Sequence, residues 1–181
     1  PMFEYWQCYG DRQIAVGKDI DLERNMSVLD WTEEDVARIR ANGYYDLEED
    51  ILFPLAMKAM NFWTQFADGK YYTDGEGKRH VNDGTTLAEA VAAGDDDARY
   101  IFAPGFSPEN SPARGGASVQ ALAYNVTMDI SAAHDALFIA RSLLERVDPD
   151  DPRFAEWAEF EKRIPDYLYQ PNTGELKEWA S

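Results

Sequence analysis

Thr127-Met128-Asp129-Ile130-Ser131-Ala132-Ala133-His134-Asp135-Ala136-Leu137-Phe138-Ile139-Ala140-Arg141-Ser142-Leu143-Leu144-Glu145-Arg146 is the stretch that decides the fold class. Val126, Ala133, Leu137, Ala140 and Leu144 recur at intervals of seven, four, three and four residues, the spacing that lines up one face of an α-helix. The helical pattern can be followed back to Ser118, with Thr127 placed to re-cap it, so a short helix and then a longer one over Met128–Arg146 are predicted.

Working outward, Ile51, Leu55, Ala59, Phe62 and Phe66 give a second stripe, predicting a helix over Leu47–Phe66 with Pro54 in its first two turns, where a missing N–H is tolerated. Asp148-Pro149-Asp150-Asp151 forms an acidic turn. Asp151 as N-cap and Pro152 at the first helical position then open a last helix, whose stripe is Phe154, Trp157, Phe160 and Ile164 and which Pro165 stops. Thr32 and Asp35 form a capping box for a short helix ending at Asn42-Gly43, and Thr86 to Glu89 open another to about Ala93. A hairpin is expected around Tyr71–Val81, a solvated tip at Asp95-Asp96-Asp97, and an extended chain after Asp166. The first thirty residues carry no clear periodicity. The fold class expected is mainly α, with antiparallel helix pairs.

With 181 residues the chain has one domain's worth of sequence, and 45% apolar residues are enough for a real core. A single unit spanning 1–181 is expected. The formal charge of −17 would repel phosphate backbones and anionic headgroups, so neither nucleic acid nor membrane is expected as a partner. No run approaches the ~20 apolar residues of a membrane span. The lone Cys8 excludes an internal disulfide, no Cys/His cluster has metal spacing, and neither metal nor cofactor is expected. Pro1-Met2-Phe3-Glu4 does not look like a signal peptide.

Three strings carry chemistry: Ala103-Pro104-Gly105-Phe106-Ser107-Pro108-Glu109-Asn110, then Thr127-Met128-Asp129, then Gly174-Glu175-Leu176-Lys177-Glu178-Trp179. A carboxylate on a proline-braced loop can be held against a sugar oxygen, while Trp and Glu grip a pyranose by its apolar face and hydroxyls. Together with Leu52-Phe53-Pro54-Leu55 and Met57-Lys58, their order resembles glycoside hydrolase family 95, the inverting α-L-fucosidases and α-L-galactosidases, from about Leu47 to Trp179. The resemblance implies helical hairpins forming part of an (α/α)6 barrel. It also implies an oligosaccharide substrate, no cofactor, a chain that is a portion of a larger catalytic domain, and remaining parts of that domain as partners. The localisation is not readable, although a secreted or periplasmic parent would suit such an enzyme.

By the same resemblance Glu109 is the general acid. Phe106, Asn110, Asp129, His134, Glu178 and Trp179 would contact the sugar, with Trp179 a stacking wall and Glu178 a hydroxyl acceptor. Departures are plain: Lys177 stands where the family has Gln, and His134 where Arg is usual. Neither the Asn-x-Asn pair nor the Asp-Gly-Asn string that supply the base occurs, so this chain is expected to be inactive alone. Two rivals remain: a family 65-like phosphorylase on the same barrel, and a non-catalytic helical module binding carbohydrate or another protein. Asp129 also has a structural reading, as a first-turn carboxylate near an N-cap. Asn125-Val126-Thr127 is a formal glycosylation sequon at what should be a buried helix junction.

Overall fold

The computed structural model describes residues 2–10, 12–18, 20–67, 71–73, 78–79, 87–106 and 122–178. The chain is mainly helical. In order come α1 (Met2–Tyr9), β1 (Gln13–Ala15), α2 (Leu22–Leu29), α3 (Glu33–Asn42), β2 (Tyr44–Asp46), a π-helical turn (Leu47–Leu52) and α4 (Phe53–Ala67). Then follow β3 (Tyr71–Thr73), β4 (Lys78–Arg79), α5 (Leu87–Ala92), β5 (Arg99–Tyr100), β6 (Gly105–Phe106), β7 (Leu122–Ala123), α6 (Thr127–Val147) and α7 (Arg153–Arg163). Two compact units emerge, one from Pro1–Asn61 with Phe138–Asp151, the other from Phe62–Leu137 with Pro152–Ser181. The helices α4 and α6 each run from one into the other.

In the first unit the chain before Trp31 is ordered into α1, β1 and α2, none of which the sequence announced. The β1 strand pairs antiparallel with β2, Ile14 opposite Tyr45, over a core of Leu22, Trp31, Val36, Ile39 and Tyr45. The α3 helix has the predicted capping box: Thr32 Oγ1 accepts from the Asp35 amide at 3.2 Å, the Thr32 amide donates to Asp35 Oδ2 at 2.9 Å, and Gly43 closes the helix at φ 74°.

The helix predicted from Leu47 is not α-helical in its first six residues, and Pro54 accounts for this. A proline inside a helix has no N–H and crowds the carbonyl four residues back, here Asp50, and a local widening to π geometry relieves both. Phe53 N–H accordingly bonds Glu48 O, five residues back. The Asp50 carbonyl left over accepts from Trp31 Nε1 at 2.7 Å. The predicted buried stripe on α4 is displaced by a position. Leu55 is 39% and Phe62 56% exposed, whereas Leu52, Ala56, Met60, Trp63 and Ala67 are buried. Both sets have helical spacing because this helix is apolar around most of its circumference, so periodicity could not choose between them.

Acidic residues of the π-helical turn are matched by arginines. Glu48 and Asp50 are each only 3% exposed. Glu48 accepts from Trp6 Nε1 at 2.9 Å and from Arg146 Nε at 3.0 Å, and the Arg146 guanidinium lies 5.2 Å from the centre of the Trp6 ring. Asp50 takes both Arg38 terminal nitrogens and, at 2.7 Å, the Asp46 amide. Burying those charges is tolerable because every carboxylate oxygen has a donor.

In the second unit β3 pairs with both β4 and β5, so the predicted hairpin gains a third strand. Trp63 and Phe66 pack on Phe102 with ring centres 5.3 and 6.0 Å apart, and Tyr100 lies 5.3 Å from Phe160 on α7. The longer helix predicted over Met128–Arg146 is α6, whereas the short helix expected ahead of it is replaced at Leu122–Ala123 by pairing with β6; its start at Ser118 lies outside the described residues. From Val126 on, the predicted face of α6 is buried. Pro152, and not Asp151, stands at the N-cap position of α7, with no side-chain cap of its own. The tail expected to be extended folds back, with Tyr169 opposite Leu176 across a turn containing Gly174 at φ 71°.

Candidate functional site at the start of α6

Three segments distant in sequence meet at the first turn of α6. The first is the exit from the core. Phe102 N–H donates to Asn125 Oδ1 and Asn125 N–H to Phe102 O, both at 2.8 Å, after which Gly105 pairs with Ala123 and Phe106 with Leu122. This double clasp and short ladder join the two ends of the stretch 107–121. Asn125 adopts φ 48°, a left-handed conformation that Asn tolerates better than most residues. It is 5% exposed and bonded through its side chain, so the sequon is a structural asparagine and no glycan acceptor in the folded chain.

The second segment is the helix start itself. Thr127 does not cap α6 as the sequence implied, because its hydroxyl donates to Lys177 O. Its amide donates to Glu178 O at 2.9 Å. The third segment, Lys177–Glu178, is thereby tied to α6 by two bonds to a single threonine, and Lys177 N–H is held in turn by Leu168 O at 2.7 Å.

Asp129, on the first turn, is half-buried, and its Oδ2 is fully covered without a hydrogen-bond partner. It rests against Gly105: a Cβ there would stand 2.7 Å from Oδ2 and 2.5 Å from Val126 Cγ2, so only glycine fits. A helix N-terminus ordinarily lowers a carboxyl pKa. Here burial wins and pushes the Asp129 carboxyl above the usual aspartate range. The first-turn reading of Asp129 as a favourable surface carboxylate is therefore replaced by that of a covered carboxyl that favours its neutral form.

Further along α6 His134 is half-buried, its ring centre 6.2 Å from that of Tyr167, whose hydroxyl lies 3.0 Å from Ser131 Oγ. Sequence reasoning missed Tyr167 and Ser131. The only signal for them was Pro165, which ends α7 and turns the chain back toward α6. Of the sequence-predicted site residues, Asp129, His134 and Glu178 thus lie on or against one end of α6, and Phe106 contributes its backbone to β6. Glu109, Asn110 and Trp179 lie outside the described residues.

Chemically, the described part brings the hydrogen-bonding groups Ser131, Tyr167 and His134 together on and against α6. No group of three or more metal-ligating side chains occurs among the described residues. None of the described helices is long and apolar enough to cross a membrane. No protein-family model, curated protein or solved structure matches the chain.

Proposed function

We propose that the chain is the acid-bearing portion of a family 95-like glycoside hydrolase, its helices forming part of an (α/α)6 barrel, that removes terminal α-L-fucosyl or α-L-galactosyl residues from oligosaccharides with inversion. The reading is carried by one observation. The Gly105 end of the first motif and the Lys177–Glu178 end of the third both touch the Thr127–Asp129 start of the second. Simple burial makes no such demand on strings about seventy residues apart.

On this reading Glu109, carried on the stretch that β6 and β7 join at its base, protonates the leaving oxygen. Inversion then needs a second carboxylate roughly 6.5–9.5 Å from the acid to activate water. The base strings of the family are missing from this sequence, so that group belongs to the remaining part of the catalytic domain. Glu178 accepts from a sugar hydroxyl and Trp179 stacks on the ring; His134, in place of Arg, gives the subsite an imidazole where a permanent cation is usual.

Two experiments test it. Titration of the 15N-labelled chain with L-fucose is expected to shift the amides of Thr127–His134 and Lys177–Glu178. Shifts elsewhere, or none at millimolar sugar, would remove the glycan site. In an enzyme that also supplies the base, Glu109→Gln is expected to lower kcat on the order of 10²-fold or more with little change in KM. Undiminished turnover of a poorly leaving substrate by that variant would sink the acid assignment, and turnover that rises with added phosphate would favour a phosphorylase.

A further inference from the structure

Among the described residues Asp129 Oδ2 is the one buried side-chain oxygen or nitrogen without a hydrogen-bond partner. Against it lies the backbone of Gly105, the first residue of a ladder only two residues long. Two neighbouring facts sharpen this. The contact leaves no space for even a methyl group, so β6 seats on Asp129 at close range. The ladder above it is short enough to open without disturbing a core, since strand pairs this small contribute little stability of their own.

We propose that Asp129 is a proton-held latch: while its carboxyl is neutral, β6 stays seated on it, and ionisation of that carboxyl unseats β6. The physical cause is the cost of holding a covered anion against a CH2 with no donor, which is relieved by admitting water. Burial already biases the group toward the neutral form. Charged and titratable neighbours on the packed elements do not supply an alternative. The β6 and β7 strands carry none, Tyr124 follows β7 and is exposed, and Lys177 and Glu178 meet α6 through their carbonyls. On α6 itself His134 and Asp135 lie beyond the first turn, and none of these groups donates to Asp129 Oδ2.

Hydrogen exchange on the intact chain tests this. Between the ordinary aspartate pKa and the raised one, the opening equilibrium linked to one proton should grow about tenfold per pH unit, beyond the intrinsic rise of the exchange rate. That loss of protection is expected in peptides covering Phe102–Phe106 and Leu122–Asn125, with α7 as an unchanging internal reference. Asp129→Asn is expected to keep the same peptides protected at every pH. A parallel carbon-13 titration of the unmodified chain should place the Asp129 carboxyl above the ordinary aspartate range. An ordinary Asp129 titration, or the same pH dependence of exchange in wild type and Asp129→Asn, would overturn the latch.

Discussion

Asp50 and Asp129 are both buried acids, and the two units treat them in opposite ways. Asp50 in the first unit is surrounded by donors, two from Arg38 and one from the Asp46 backbone, so it can stay an anion away from water. Asp129 in the second unit has glycine against its covered oxygen and no donor to it. A partnered carboxylate holds a structure in one arrangement, while an unpartnered one makes the structure depend on a proton. The π-helical turn therefore reads as a clamp, its charges fully used among themselves. The start of α6 reads as a place where something is allowed to change.

The clamp is broken most directly at Arg38. Arg38→Ala strands the Asp50 carboxylate with one backbone N–H, and a loss of about 2–3 kcal/mol is expected, below the range for a fully buried pair because Arg38 is itself partly exposed. Urea unfolding at neutral pH measures it. Adding Asp50→Asn to that variant should restore part of the loss, since the stranded charge is then gone. A loss within ~0.5 kcal/mol, the scale of ordinary surface changes, would show that the first unit does not rely on this pair and would erase the contrast.

Glycine positions give the next largest effect. Gly105→Ala pushes a methyl into Val126 and Asp129, and overpacking of that kind is expected to cost about 1–3 kcal/mol. The control lies in the first unit, where Gly17→Ala meets only Ile20 side-chain atoms, the nearest at 3.3 Å, and should stay within about 0.5 kcal/mol. Thermal unfolding of the two variants side by side decides whether the close seating of β6 is real. Equal costs would mean that the segment simply moves aside.

How legible was this in the sequence? Elements ruled by local chemistry were readable. The Thr32–Asp35 box with Gly43 and the buried face of α6 both rest on spacing and caps within a few residues. What failed depended on partners far along the chain. The face of α4 was displaced because an all-round apolar helix has no period to read. The short helix expected ahead of α6 failed at Leu122–Ala123 because those residues found β6. The π-helical turn could have been foreseen from Pro54, but the donor Trp31 that takes its freed carbonyl could not. At the candidate site the motif residues were named but not their environment. That Asp129 would be covered by Gly105, and Thr127 claimed by Lys177, follows only from the chain's return path.

The finest test of the contrast uses the sign of pH dependence, comparing Asp129 with the surface cap Asp35. Bonds from the Thr32 backbone and side chain hold the Asp35 carboxyl below the ordinary aspartate value of about 3.9. Its stabilisation is therefore present above that pH and lost as pH falls through its lowered native pKa. Burial raises the native pKa of Asp129, so its contribution is complete below about pH 3.9 and disappears as pH climbs through the raised value. Replacing each with Asn should give difference curves of opposite sign. Asp35→Asn should be less stable than wild type at neutral pH, by about 0.5–1 kcal/mol as for a weakened cap, and approach it in acid. Asp129→Asn should be more stable than wild type at neutral pH, by a smaller margin, with the gain shrinking as the solution is made acid. Melting temperatures of the three proteins from pH 3 to 8 provide the curves. Two curves of the same sign would mean that Asp129 is solvated or partnered like Asp35, and the difference between the two units would then lie in packing alone.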